Sequence, residues 1–152
     1  MNKWTITTQI TGKKRSVEVR LYNRAQDLKS AVTKYAKRWG DESTDGNFLA
    51  ICHNFRGEYV DKNGELYEFP LTNIIRLSRE HLTPAIVAHE FIHAVEHMFS
   101  IDYADKLYKE GEPNEDFAYL YGELFGSFWP MVHNQVNLYP PPSTDIERVQ
   151  HV

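Results

Sequence analysis

Hydrophobic and polar positions divide the chain into readable stretches. Trp4, Ile6, Thr8 and Ile10 alternate with polar residues, as do Val17, Val19 and Leu21, and Thr11-Gly12-Lys13-Lys14 lies between them. Period-two alternation around a glycine turn predicts a β-hairpin. Leu28, Ala31, Val32, Tyr35, Ala36 and Trp39 then recur at helical spacing. Asn23 with Gln26 reads as a capping box ahead of this helix, and Gly40 as its stop. Gly40 to Gly46 is a polar loop, and Phe48 to Phe55 reads as a strand. A second hairpin turns at Asp61-Lys62-Asn63-Gly64, between Tyr59-Val60 and Leu66-Tyr67. Asn73 to Ser78 is a short strand, followed by a helix from Thr83 to Ser100. A last helix starts near Pro113-Asn114, and Pro130 is expected to end or kink it after Trp129.

These elements predict an α+β chain. It has an N-terminal β-hairpin and helix, a small mostly antiparallel sheet, and two packed C-terminal helices. One domain over residues 1–139 and a mobile tail over 140–152, opened by Pro140-Pro141-Pro142, suit a length of 152 residues. No internal repeat is visible.

The Thr83–Ser100 stretch carries the chemistry. Thr83 suits an N-cap and Pro84 the first helical position, where a missing N–H costs nothing. His89 and His93, four residues apart, project about 40° apart on one face, so both imidazoles can meet one tetrahedral ion. Glu90 lies roughly 100° round the helix, where it can reach a water rather than the metal. That is the position of a general base, since a bound metal lowers the pKa of water to about 7. Ala88, Phe91, Ile92, Val95 and Phe99 form the apolar face expected to fix this helix to a core.

A catalytic zinc site takes three protein ligands and one open position. Glu115, in the first turn of the last helix, is the expected third ligand, with Glu112 and Asp116 as rivals. Ala118, Gly122 and Gly126 form a small-residue ridge expected to pack on the His89/His93 helix and carry Glu115 to the metal. Asp116 and His97 are candidates for orienting a histidine from behind. Tyr119, Tyr121, Tyr103 and His133 are candidates for an oxyanion donor.

His89-Glu90-x-x-His93 followed by Asn114-Glu115-x-x-Ala118-Tyr119 resembles the gluzincin type of zinc peptidase. The lead-in Arg76-Leu77-Ser78 and Leu82-Thr83-Pro84-x-x-Val87-Ala88-His89-Glu90 resembles the minimal zincin-like proteins of phages and mobile elements. ImmA/IrrE and SprT-like peptidases are more distant likenesses. The resemblance covers roughly residues 71–132. It implies one Zn²⁺ held by His89, His93 and Glu115, with Glu90 as general base in peptide-bond hydrolysis. It also implies that a strand near Asn73–Ser78 borders the cleft and pairs with an extended substrate. Twenty-one residues separate His93 from Glu115, more than in thermolysin-like enzymes.

Composition adds little to this picture. The single Cys52 cannot form an internal disulfide and reads as a core thiol of a reducing, cytoplasmic compartment. No apolar run approaches 18 residues and the N-terminus does not read as a signal peptide, so no membrane partner is expected. His53 and His81 read as surface or loop residues. Charge is uneven. Residues 1–40 carry ten Lys/Arg against two Asp/Glu, a formal +8, whereas residues 41–152 are a formal −12. A solvated basic face is the default reading of the first part, and nucleic-acid binding is its alternative. The expected partner is a peptide or protein substrate. The rival from another class is a non-catalytic zinc-binding regulatory protein, for which an intact Glu90 has no use.

Overall fold

The computed structural model describes residues 1–40, 48–103 and 115–136, with side chains as far as His133. The expected loop beyond Gly40, the connection between the last two helices with Glu112, and the C-terminal tail lie outside the described residues. The architecture is α+β. Strands β1 (Asn2–Thr8) and β2 (Arg15–Tyr22) form the N-terminal hairpin, followed by helix α1 (Ala25–Trp39). Then come β3 (Ile51–Asn54), the small hairpin of β4 (Glu58–Val60) and β5 (Leu66–Glu68), and β6 (Leu71–Ser78). A 3₁₀ turn at Arg79–His81 leads into α2 (Pro84–Asp102), and α3 (Glu115–Val136) follows.

The main sheet runs β1-β2-β6-β3. The β1–β2 and β3–β6 pairings are antiparallel and β2–β6 is parallel. Alternation sorts the side chains to two faces. Trp4, Ile6, Val17, Val19, Leu21, Ile75 and Leu77 lie on one face, in a single core with the buried sides of α2 and α3. Tyr22 on the other face packs with Leu28 and Val32 of α1. The eight-residue β6 is buried along nearly its whole length, because it is paired on both edges and covered on both sides.

The two long C-terminal helices run antiparallel. Phe99 meets Phe117 at a centroid distance of 5.3 Å, and Phe91 meets Phe128 at 5.6 Å. Their contact on the α3 side is Leu120, Leu124, Phe128 and Val132, all buried. The expected ridge of Ala118, Gly122 and Gly126 is exposed instead, and a Cβ added at Gly122 or Gly126 meets nothing within 4 Å. Burying four large apolar side chains outweighs the closer approach that small residues permit.

Other expectations shift as well. The N-cap of α1 is Arg24, not Asn23, and its own side chain makes no cap bond. Glu80, 55 residues away, accepts the Ala25 N–H at 2.8 Å and supplies the cap from another element. Gly40 ends α1 at φ 70°, in the left-handed conformation, and donates its N–H to the Ala36 carbonyl. Helix α3 continues through Pro130 to Val136. The carbonyl deprived of a donor by the proline belongs to Gly126, which is exposed and open to water. His53 is buried against the Tyr35 ring rather than at the surface.

Candidate metal centre

Helix α2 starts as its sequence dictates. The Thr83 hydroxyl accepts the Ile86 N–H at 3.2 Å, and Pro84 occupies the first turn. Val87, Phe91, Ala94, Val95, Met98 and Phe99 are buried. This stripe is rotated slightly from the expected one, since Ala88 and Ile92 are only half-buried. His89 and His93 fall on the opposite, exposed face.

Their Nε2 atoms stand 3.1 Å apart, with the rings at 82° to one another. Two nitrogens sharing a tetrahedral zinc at 2.0–2.1 Å are about 3.3–3.4 Å apart. The pair therefore needs a few tenths of an ångström of adjustment to accept the ion, and the two residues fit that role. In a metal-free chain a proton on one Nε2 bridges the same gap. Behind His93, the Glu96 carboxylate lies 3.8 Å from Nδ1. Glu96 is a candidate for orienting that ring which the sequence reading did not single out. Its signal was the i, i+3 spacing.

Glu90 sits between the exposed imidazole face and the core, and is 7 % exposed. Burial raises its carboxyl pKa above the ordinary value, and the charges of His89 and His93 oppose that rise. A carboxylate poorly solvated by water is a more willing proton acceptor. On the facing strand, burial, and after it the charge of Glu90, pushes the Cys52 thiol up to about 12. Metal binding requires the thiolate, so Cys52 is no competitor for the ion at neutral pH.

A cavity of about 400 Å³ opens beside His89 and Glu90, walled by Phe48, Leu49 and Ala50 on one side and Ala85 and Ile86 on the other. The Phe48–Ala50 wall leads directly into β3, the edge strand of the main sheet. The expected border strand, Asn73–Ser78, lies within β6, paired with β2 along its length and with β3 over Asn73–Arg76. Its inner position follows from the parallel β2–β6 pairing, which hydrophobic alternation cannot reveal. His97 ties this edge to α2, its Nε2 lying 2.6 Å from the Phe55 carbonyl oxygen. That contact holds the chain just after β3 in place and is where His97, a candidate for orienting a ligand histidine, is engaged.

The carboxylates of the last helix stand elsewhere. Glu115 is the exposed first residue of α3. The antiparallel register sets the start of α3 beside the C-terminal end of α2, and His93 lies nine residues before Asp102, roughly 13 Å along the helix at 1.5 Å per residue. Among the described residues no three His, Cys, Asp or Glu side chains gather closely enough to hold a metal. Asp116 is near Tyr103, whose phenol pKa is raised by burial first and by Asp116 next. Tyr119 is 66 % exposed. Tyr103 donates its hydroxyl to the Ile10 carbonyl at 3.0 Å, and Tyr121 stacks on Phe125. The same register carries His133 toward the N-terminal turn of α2.

No protein-family model, curated protein or solved structure matches the chain. Among the described residues no helix is long and apolar enough to cross a membrane.

Proposed function

We propose that this chain is a zinc-dependent peptidase. The observation that carries the reading is the pairing of two imidazole nitrogens at 3.1 Å with a buried carboxylate on the next residue, at the mouth of an apolar cavity. His89 and His93 would hold the ion; no third ligand is assembled with them among the described residues, and Glu115, the sequence-based expectation, and Glu112, outside those residues, are the candidates. Zinc held there supplies Lewis-acid polarisation of the scissile carbonyl and acidifies water.

The chain's own residues do the rest. The outer edge of β3, unpaired among the described residues, would offer backbone donors and acceptors to an extended peptide. The cavity between Phe48–Ala50 and Ala85–Ile86 takes an apolar side chain of that peptide. Glu90 takes the proton of the attacking water and returns it to the leaving amine.

The test is metal analysis of the purified protein together with cleavage of a broad peptide library. Glu90→Gln should retain zinc and lose about 10²- to 10⁴-fold in hydrolysis, the usual worth of a general base. His93→Ala should lose zinc itself. Of Glu115→Gln and Glu112→Gln, the variant that weakens zinc binding identifies the third ligand. Hydrolysis undiminished in Glu90→Gln would overturn the proposed role of that carboxylate.

A further inference from the structure

A second cavity, of about 470 Å³, lies on the opposite side of the sheet, between α1 and the face carrying Arg20, Ile74 and Arg76. It shares no lining residue with the cavity beside Glu90. Arg76 projects from the middle of the sheet and is 4 % exposed. Its Nη1 donates to the Tyr22 hydroxyl, and its Nε has no hydrogen-bond partner among the described residues. No carboxylate among the described residues pairs with it. A guanidinium this buried, with no counter-charge and no acceptor for its Nε among the described residues, is costly, and an anion in the cavity would complete it.

The rest of the lining has the same sense. Lys34 and Arg38 reach the cavity from successive turns of α1, both exposed. Arg20 also lines it, but its charge is already engaged by Glu18. Two aromatic rings stand beside these cations. Tyr35 has the Arg76 guanidinium 5.6 Å from its ring centroid, and Trp39 is 63 % exposed, an unusual setting for so large an apolar ring. The Glu18–Arg20 and Glu18–Lys3 pairs interrupt the cationic surface along the sheet. A single compact ligand suits the site better than a long polyanion.

We propose that this cavity binds a nucleotide-sized phosphomonoester, its phosphate seated on Arg76 between Lys34 and Arg38 and its flat ring against the exposed Trp39. Arginine is the natural partner of a phosphate, through two parallel N–H donors. Aromatic faces take any planar base, so the base is not selected strongly.

Titration calorimetry and thermal melting of the full chain, with AMP, UMP, adenosine, inorganic phosphate and an oligothymidylate as probes, test the proposal. Saturable binding of AMP or UMP is expected, at least about tenfold tighter than inorganic phosphate or adenosine, since each lacks half of the recognised chemistry. Arg76→Met should weaken nucleotide binding by at least about tenfold. It should also melt close to wild type without ligand, because the buried charge it removes offsets the lost Tyr22 bond and Tyr35 contact. Should Arg76→Met fail to fold, Lys34→Ala/Arg38→Ala supplies the same binding test from exposed positions. The proposal is overturned if neither nucleotide binds saturably by about 1 mM. It is equally overturned by phosphate or adenosine binding as tightly as the nucleotides, by undiminished affinity in the variants, or by an oligothymidylate binding in preference to UMP.

Discussion

Arg15→Met should be among the most damaging single substitutions outside the hydrophobic core. Arg15 leaves β2 and meets Asp102, the last residue of α2, with Nε at 2.9 Å from Oδ2 and Nη2 at 2.5 Å from Oδ1. The two side chains are 3 % and 1 % exposed. Thr11 donates a further hydrogen bond to Asp102, and Glu68 accepts another from Arg15. Removing the guanidinium leaves the Asp102 carboxylate buried with only the Thr11 hydroxyl. Breaking one side of such a pair costs about 3–5 kcal/mol, far more than the ~0–1 kcal/mol of an exposed pair. Arg15→Met/Asp102→Asn should recover much of that loss, because no charge is then stranded. Acid sharpens the contrast. Burial acts to raise the Asp102 pKa, but the bonds from Arg15 and Thr11 outweigh it and hold it below the ordinary value. Glu68 is held low chiefly by its bond from Arg15. A lowered folded-state pKa contributes stability that is complete above the unfolded value, about 4, and disappears as pH falls through the folded one. The wild type should therefore weaken on acidification below about pH 4. In Arg15→Met, burial of Asp102 is opposed only by the Thr11 bond and the Lys13 charge, so acidification should weaken the single variant less than the wild type. Denaturant unfolding at pH 7 and across the acid range measures both effects. A cost under about 1 kcal/mol at pH 7, or parallel acid profiles for the two proteins, would refute the reasoning.

The other expectations are smaller. Gly122→Ala should stabilise the chain by about 0.5–1 kcal/mol, because the position is exposed, helical and open to a Cβ; destabilisation would mean that this face packs on something. Thr83→Ala, which removes the α2 cap, should cost about 1 kcal/mol in thermal or chemical unfolding, and Thr83→Ser almost nothing. With its thiol pushed up to about 12, Cys52 has about one part in 10⁴ as thiolate at pH 8, so iodoacetamide should label native protein far more slowly than unfolded protein. Comparable rates in the two states would contradict its partly buried placement and raised pKa.

Local chemistry made the element list legible. Alternation marked β1 and β2, Asn63-Gly64 marked the β4–β5 turn, and Thr83-Pro84 marked the start of α2. The convergence of His89 and His93 was equally legible, because both residues belong to one helix and its pitch alone sets their separation. Nothing local specified partners across the chain. The parallel pairing that buries β6 and leaves β3 at the edge, the Glu80 cap on α1, and the Arg15–Asp102 pair all join residues more than 20 positions apart. So does the packing of α3 through Leu120, Leu124, Phe128 and Val132 rather than its small residues. Which of two plausible faces turns inward is decided by the total apolar area removed from water, a property of the assembled core rather than of any one segment. The same assembly lays Arg76 between α1 and the sheet, where periodicity alone would have left it an ordinary strand residue.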